Sequence, residues 1–159
     1  PAQGNDTLIS IEGAVGSDYN DTLIGDGANN IFEGGLGDDS IDGAGGNDMV
    51  SYRTSTENLT VNLSNAGAQN FGALGTDTLA NVESVRTGSG NDTILGTSGD
   101  NTLDAGLGSD TVSYANAGAG IILDLSSSAA QNTGGAGTDT LIGFENATGS
   151  GFDDEITGN

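Results

Sequence analysis

Large apolar residues recur along this chain at a fixed offset from an acid or amide. Taking as marker the Asp or Asn that follows a glycine-rich stretch gives Asp6, Asp21, Asn30, Asp39, Asp48, Asp77, Asp92, Asn101, Asp110, Asp139 and Asp154. Two positions further on stand Leu8, Leu23, Phe32, Ile41, Val50, Leu79, Ile94, Leu103, Val112, Leu141 and Ile156, all large and apolar, in a chain that is 33% apolar overall. Around each of these the pattern is polar-apolar-polar, as in Ser40-Ile41-Asp42. Period-two alternation predicts a short strand with one inward side chain. A strand of three residues has no stability of its own, but stacked coils bury such a column continuously, as solenoids do. The residue two before the marker is Gly in eight of the eleven units, with Tyr19, Ala28 and Phe152 the exceptions. Glycine there supplies the positive φ and open backbone that a tight turn between strands needs.

The marker gaps read 15, 9, 9, 9, 29, then 15, 9, 9, 29, then 15. The chain is therefore one long repeat written about twice: residues 1–76, then 77–138, with the start of a third at 139–159. Asp6 to Asp77 is 71 residues and Asp77 to Asp139 is 62, so the second copy lacks one nonapeptide. This organisation predicts a single continuous solenoid over 1–159. The 29-residue gaps hold longer alternating strands, Leu59/Val61/Leu63 and Ile121/Leu123/Leu125, and reuse Ser51-Tyr52 as Ser113-Tyr114 and Ala68-Gln69-Asn70 as Ala130-Gln131-Asn132. They read as wider turns of the same roll, with Tyr52 and Tyr114 as packing residues. The 15-residue gaps align Glu12, Glu83 and Glu145, for which a structural or turn role is read ahead of a metal role. Both ends fit repeat units met elsewhere, so the chain reads as a segment of a longer protein.

Composition alone points the other way. Against 23 acids stand only Arg53 and Arg86, for a formal charge of -21, and there is no Cys, His, Lys or Trp. Low hydrophobicity with high net charge and few aromatics is the signature of a disordered chain. Bound divalent cations would reverse that argument, because they become the largest local charges. The charge excludes nucleic acid as a partner, since nothing neutralises phosphate, and an anionic membrane surface would repel the chain. No run of 18 apolar residues is present, so no membrane insertion by this segment is expected. Without His, Cys or Lys the usual bases and nucleophiles are missing, and the acids lie in repeats rather than in a unique constellation, so the segment is read as non-enzymatic.

The glycine-acid loops offer a hard cation what it takes: carboxylates, and carbonyls left unshielded by glycine. One loop supplies too few oxygens, but two loops stacked 18 residues apart supply enough, and Asp21/Asp39, Asn30/Asp48 and Asp92/Asp110 have that spacing. The bland alternative is a set of solvated turn acids chosen for turn geometry. The absence of His and Cys argues against zinc or copper.

Gly34-Gly35-Leu36-Gly37-Asp38-Asp39-Ser40-Ile41-Asp42 matches G-G-x-G-x-D-x-(large apolar)-x at every defined position, as do residues 134–142; residues 43–51 and 105–113 each depart at one glycine. This resembles the RTX (repeats-in-toxin) nonapeptides of large secreted or surface bacterial proteins. The resemblance implies an all-β fold, a right-handed parallel β-roll or β-solenoid with several Ca²⁺ ions between stacked Gly-Asp loops. Carried over, it implies carboxylate ligands at Asp39, Asp48 and Asp110, then Asp92 and Asp139, with Asp21 and Asp77 further candidates and Asn30 and Asn101 as weaker neutral donors. Loop carbonyls would come from Gly34, Gly35, Leu36 and Gly37, from Gly43, Ala44, Gly45 and Gly46, and from Gly106 and Gly108. Tyr19 and Phe152 in place of the turn glycine weaken the cases of Asp21 and Asp154, while Asp38 and Asp42 are read as solvated. The function implied is a calcium-binding structural module of a larger protein that folds on calcium binding after secretion, in an extracellular or cell-surface setting. A second reading is an interaction module, part of an adhesin, surface layer or polysaccharide-binding region, with polysaccharide or neighbouring surface subunits as partners and the recurrent Thr rows as contact surface.

Overall fold

A computed structural model describes residues 12–159; Asp6, Leu8 and Thr7 lie outside the described residues. Among the described residues there are seventeen strands, nearly all of three residues. Residues 12–80 form β1 (Gly13–Val15), β2 (Thr22–Ile24), β3 (Ile31–Glu33), β4 (Ser40–Asp42), β5 (Met49–Ser51), β6 (Thr60–Asn62), β7 (Ala68–Asn70) and β8 (Thr76–Ala80). Residues 81–159 form β9 (Ser84–Arg86), β10 (Thr93–Leu95), β11 (Thr102–Asp104), β12 (Thr111–Ser113), β13 (Ile122–Asp124), β14 (Gln131–Asn132), β15 (Thr138–Ile142), β16 (Asn146–Thr148) and β17 (Glu155–Thr157).

Successive nonapeptide strands alternate between two faces, so each strand pairs in parallel with the strand 18 residues away: Gly13 with Ile31, Thr22 with Ser40, Ser84 with Thr102 and Thr93 with Thr111. One long sheet, in the order β1-β3-β5-β9-β11-β15-β14, runs through both copies. Three shorter sheets alternate with it along the chain: β2-β4-β8-β7, then β6-β10-β12-β16, then β13-β17. Parallel strands need both faces or a stacked partner to cover them, and the coil geometry supplies this with no α-helix among the described residues, only one 3-10 turn at Gly72–Leu74.

The inward residue of every strand falls in register with its neighbours. Ala14, Phe32, Val50, Val85, Leu103 and Leu141 form one stack in the long sheet. Leu23, Ile41 and Leu79 form a second, and Val61, Ile94, Val112 and Ala147 a third. These side chains make one hydrophobic cluster. At about 1.5–3 kcal/mol for each large side chain withdrawn from water, this column is the main apolar contribution to the fold. Ile156 is the exception among the described marker-plus-two residues: it is exposed, because β17 pairs on one side only.

The 29-residue inserts do more than widen a turn. In the first, β6 opens a new sheet against β10, while β7 turns back antiparallel onto β8 and covers the last edge of the β2-β4-β8 sheet. In the second, β13 opens the sheet shared with β17, and β14 covers β15 at the edge of the long sheet. Each insert thus ends one stack and begins another. The recurrent Ala-Gln-Asn has its reason here. The Gln69 amide accepts the Asn62 N–H (2.8 Å) and donates to the Asn62 carbonyl (2.9 Å), and Gln131 does the same with Asp124 (2.8 and 3.1 Å). A side-chain amide so placed satisfies the edge of the new strand as another strand would.

Candidate metal centre

Most markers sit at the residue just before a strand, where the turn delivers the chain back to the sheet, while Asp77 and Asp139 are the second residues of the longer strands β8 and β15. Their carboxylates point along the stack. Asp21 N–H donates to Asp39 Oδ1 (2.9 Å) and Asp39 N–H to Asp77 Oδ1 (3.0 Å). Asn30 N–H donates to Asp48 Oδ1 (2.7 Å), Asp92 N–H to Asp110 Oδ1 (2.7 Å), and Asn101 N–H to Asp139 Oδ1 (2.9 Å). The pairs 18 residues apart are therefore stacked, and one oxygen of each upper carboxylate holds the coil below it.

The other oxygen divides the markers into two classes. Asp39, Asp48, Asp92 and Asp110 each bury an Oδ2 that has no hydrogen-bond partner. A buried carboxylate oxygen left this way costs several kcal/mol unless a cation meets it. In the remaining markers the second oxygen is closed by protein. Tyr52 donates its hydroxyl to Asp77 Oδ2 (2.9 Å) and Tyr114 to Asp139 Oδ2 (2.7 Å). Asp21 Oδ2 accepts from the Ser17 N–H (2.6 Å) and hydroxyl (2.9 Å), and Asp154 is held in the same way by Ser150. Asn101 Oδ1 accepts the Thr97 N–H (2.9 Å), and Asn30 Oδ1 accepts that of Asp26 (3.1 Å). A full motif match at residues 134–142 thus carries a carboxylate sealed by a phenol, and β15, though stacked in parallel on β11, is also the second arm of an antiparallel hairpin with β14.

Electrostatics follow burial. Desolvation pushes the Asp39 carboxyl up to about 6, with Asp77 and Asp21 as nearby like charges and the Asp21 N–H acting in the opposite sense. Burial likewise raises Asp48, Asp77, Asp110 and Asp139. Hydrogen bonds from Ser150 and the Ile121 N–H lower Asp154 instead. Among the described residues no three acids converge on one point, so a cation here must draw on carbonyl oxygens as well as carboxylates.

The turns are built for close backbone approach. Gly35 and Gly37 stand at φ +108° and +114°, Gly46 at +123°, Gly106 at +78° and Gly108 at +151°. A methyl on Gly35 would run into the Ser17 carbonyl of the coil below, and one on Gly108 into that of Gly90. Ala44 takes a left-handed turn at φ +65° without being glycine. Gly34 and Gly43 pack directly against the unpartnered oxygens of Asp39 and Asp48, and a side chain at either would fill that space. Leu36 is among the more exposed large apolar residues, and its N–H donates to the Ser17 carbonyl (3.1 Å); the Gly45 N–H donates likewise to Asp26 (3.0 Å).

A second ladder escapes a reading based on markers alone. The residue before each marker also reaches along the stack: Asp38 N–H donates to Asn20 Oδ1 (2.9 Å), Asn47 N–H to Asn29 Oδ1 (2.9 Å), Thr76 N–H to Asp38 Oδ1 (2.8 Å) and Ser109 N–H to Asn91 Oδ1 (2.9 Å). Asp38 is therefore engaged rather than merely solvated, and so is Asp42, which accepts from Asn81 Nδ2 (2.7 Å) and the Ala44 N–H (3.0 Å). The signal was the run of Asn or Asp at 20, 29, 38, 47, 58, 91 and 100. Glu83 and Glu145 join the marker columns too: Asp48 N–H donates to Glu83 Oε2 (3.0 Å) and Asp110 N–H to Glu145 Oε2 (2.9 Å).

The family model for the RTX calcium-binding nonapeptide repeat matches residues 15–50 and 82–120 in four copies. No curated protein and no solved structure gives a significant match to the chain. The repeat family binds Ca²⁺ between turns, and the buried unpartnered oxygens at Asp39, Asp48, Asp92 and Asp110 suit a hard cation of that kind. With strands stacked in parallel coils, acids aligned between turns and a family match over the nonapeptide runs, residues 15–50 and 82–120 belong to the RTX calcium-binding repeat family, in a chain folded as a parallel β-roll.

Proposed function

We propose that this segment is a folding switch within a larger RTX-type protein, a charged coil at low calcium and a rigid β-roll outside the cell, where calcium is plentiful. The carrying observation is the set of four buried carboxylate oxygens without a protein partner. In a chain of charge -21 they make the cation-free roll self-repelling, so binding free energy becomes folding free energy. Asp39, Asp48, Asp92 and Asp110 are the carboxylate ligands in this reading, with carbonyls of the turns at 34–37, 43–46 and 105–108 beside them. Asp77 and Asp139, sealed by tyrosine, and Asp21, Asn30 and Asn101, tied to their own turns, hold the coils in register. A chain unfolded at low calcium suits passage through a narrow secretion channel, and its destination is the extracellular space or the cell surface. No helix among the described residues is long and apolar enough to cross a membrane. No catalytic role is assigned to the segment. Circular dichroism during calcium titration tests the proposal: strand signal should be absent in excess chelator and rise with calcium, and a complete strand signal in chelator would refute the switch.

A second reading rests on the outward row Thr60, Thr93, Thr111 and Asn146, which stand side by side across one short sheet. Such a row of small polar groups offers hydrogen bonds to polysaccharide or to a neighbouring surface subunit. A glycan array run with calcium tests it, and uniform silence would leave the structural role standing alone.

A further inference from the structure

The stack of Asn30 and Asp48 does not end at Asp48. The next coil of the long sheet is entered by Asn81–Glu83, a turn that carries no nonapeptide glycines. At three turns of the first repeat the missing Cβ of a glycine marks a space faced by the marker side chain of its own turn and by a carbonyl of the next coil. Gly16 faces Asp21 Oδ2 and the Gly34 carbonyl, Gly25 faces Asn30 Oδ1 and the Gly43 carbonyl, and Gly43 faces Asp48 Oδ2 and the Asn81 carbonyl. Asn81 therefore takes the place of a nonapeptide glycine. It stands in the left-handed region at φ +51°, a conformation that Asn tolerates better than most residues, and Asp42 anchors its side chain (2.7 Å). Glu83 then fills the marker position, its Oε2 accepting the Asp48 N–H (3.0 Å). Asp48 is 0% exposed and its Oδ2 is unpartnered.

We propose that Asp48 Oδ2, the Asn81 carbonyl and Glu83 form a further divalent-cation site, one that extends the calcium column into the turn after the insert, beyond the last glycine-acid nonapeptide of the first repeat. The proposal rests on the calcium-binding reading of the column. The second repeat supplies an internal contrast. Glu145 occupies the position of Glu83 beneath Asp110, but Ala105 stands where the first repeat has Gly43, and its buried methyl fills the space. Asp110 thus lacks the open cradle on this side, and a methyl at that position is compatible with the fold.

The test is calcium stoichiometry by equilibrium dialysis on the whole chain and on four variants. Glu83→Gln keeps an oxygen to accept the Asp48 N–H and removes the charge. Gly43→Ala copies Ala105; Gly43 has no positive φ, so the methyl acts by crowding the Asn81 carbonyl and Asp48 Oδ2 rather than by straining its own backbone. Each should lose one bound ion, whereas Glu145→Gln should keep the full number. If Glu83→Gln and Gly43→Ala both retain the wild-type number of ions at unchanged affinity, the site does not exist; if Glu145→Gln loses an ion as Glu83→Gln does, the glycine cradle is not what makes it. Asp39→Asn separates the two levels of the reading. Its loss of calcium with Glu83→Gln and Gly43→Ala unaffected overturns this site alone, while a wild-type chain that binds no calcium overturns both.

Discussion

Replacing Tyr52 by Phe removes one hydroxyl and nothing else. The ring keeps its contact with Phe71, at 4.9 Å between centroids. What changes is Asp77 Oδ2, which loses its donor at 2.9 Å in a residue only 1% exposed and joins the class of unpartnered oxygens. Hydrogen bonds to charged groups contribute about 1.5–3 kcal/mol, and an orphaned buried acceptor sits toward the upper part of that range. At roughly 2–4 °C per kcal/mol for a domain of this size, the calcium-loaded variant should melt about 5–12 °C below the wild type. Tyr114→Phe should do the same through Asp139, where the bond is 2.7 Å, so the second repeat is a replicate within one molecule. Neither variant should lose a bound calcium ion, because the phenols contact Asp77 and Asp139 and none of the four carboxylates read as ligands. Thermal melts by circular dichroism in saturating calcium, with stoichiometry measured in parallel, check both statements. A melting temperature unchanged in both variants would show that the hydroxyls carry no structural weight, and a lost ion in either would place Asp77 or Asp139 among the ligands after all.

Other consequences are simpler to state. Desolvation lifts Asp39 to about 6 from an ordinary 3.8, so between those values the calcium-free fold binds more protons than the unfolded chain and loses stability as pH rises; with calcium the competition reverses, and affinity should fall as pH drops below about 6, measurable by titration calorimetry at several pH values. Gly75→Ala places a methyl against the Gly37 carbonyl at φ +115°, and should destabilise the roll by more than the roughly 1 kcal/mol of an ordinary glycine-alanine exchange, as read in denaturant titrations with calcium present. Leu103→Ala empties a fully buried position of the long sheet and should cost about 2–5 kcal/mol while leaving the ion count intact.

The nonapeptide period and the offset of two between acid and apolar residue determined much of this protein without any coordinates. They fixed the 18-residue coil, the inward column from Leu23 to Leu141 and the pairing of Asp21 with Asp39, Asn30 with Asp48 and Asp92 with Asp110, because each of these depends only on strand alternation and repeat length. The inserts were legible as strands but not as edges: Leu59, Val61 and Leu63 alternate whether their strand widens a coil or opens a new sheet, and only the three-dimensional pairing of β6 with β10 and β7 with β8 decides. The difference between Asp39 and Asp139 was likewise invisible. Both end a perfect motif, yet Asp139 has a tyrosine 25 residues earlier in the chain whose hydroxyl closes it, and Asp39 has none. Sequence carried the list of acids that could face a cation; tertiary structure determined which of their oxygens already had a partner, because that depends on groups brought together from distant coils and on how much water the fold excludes around them.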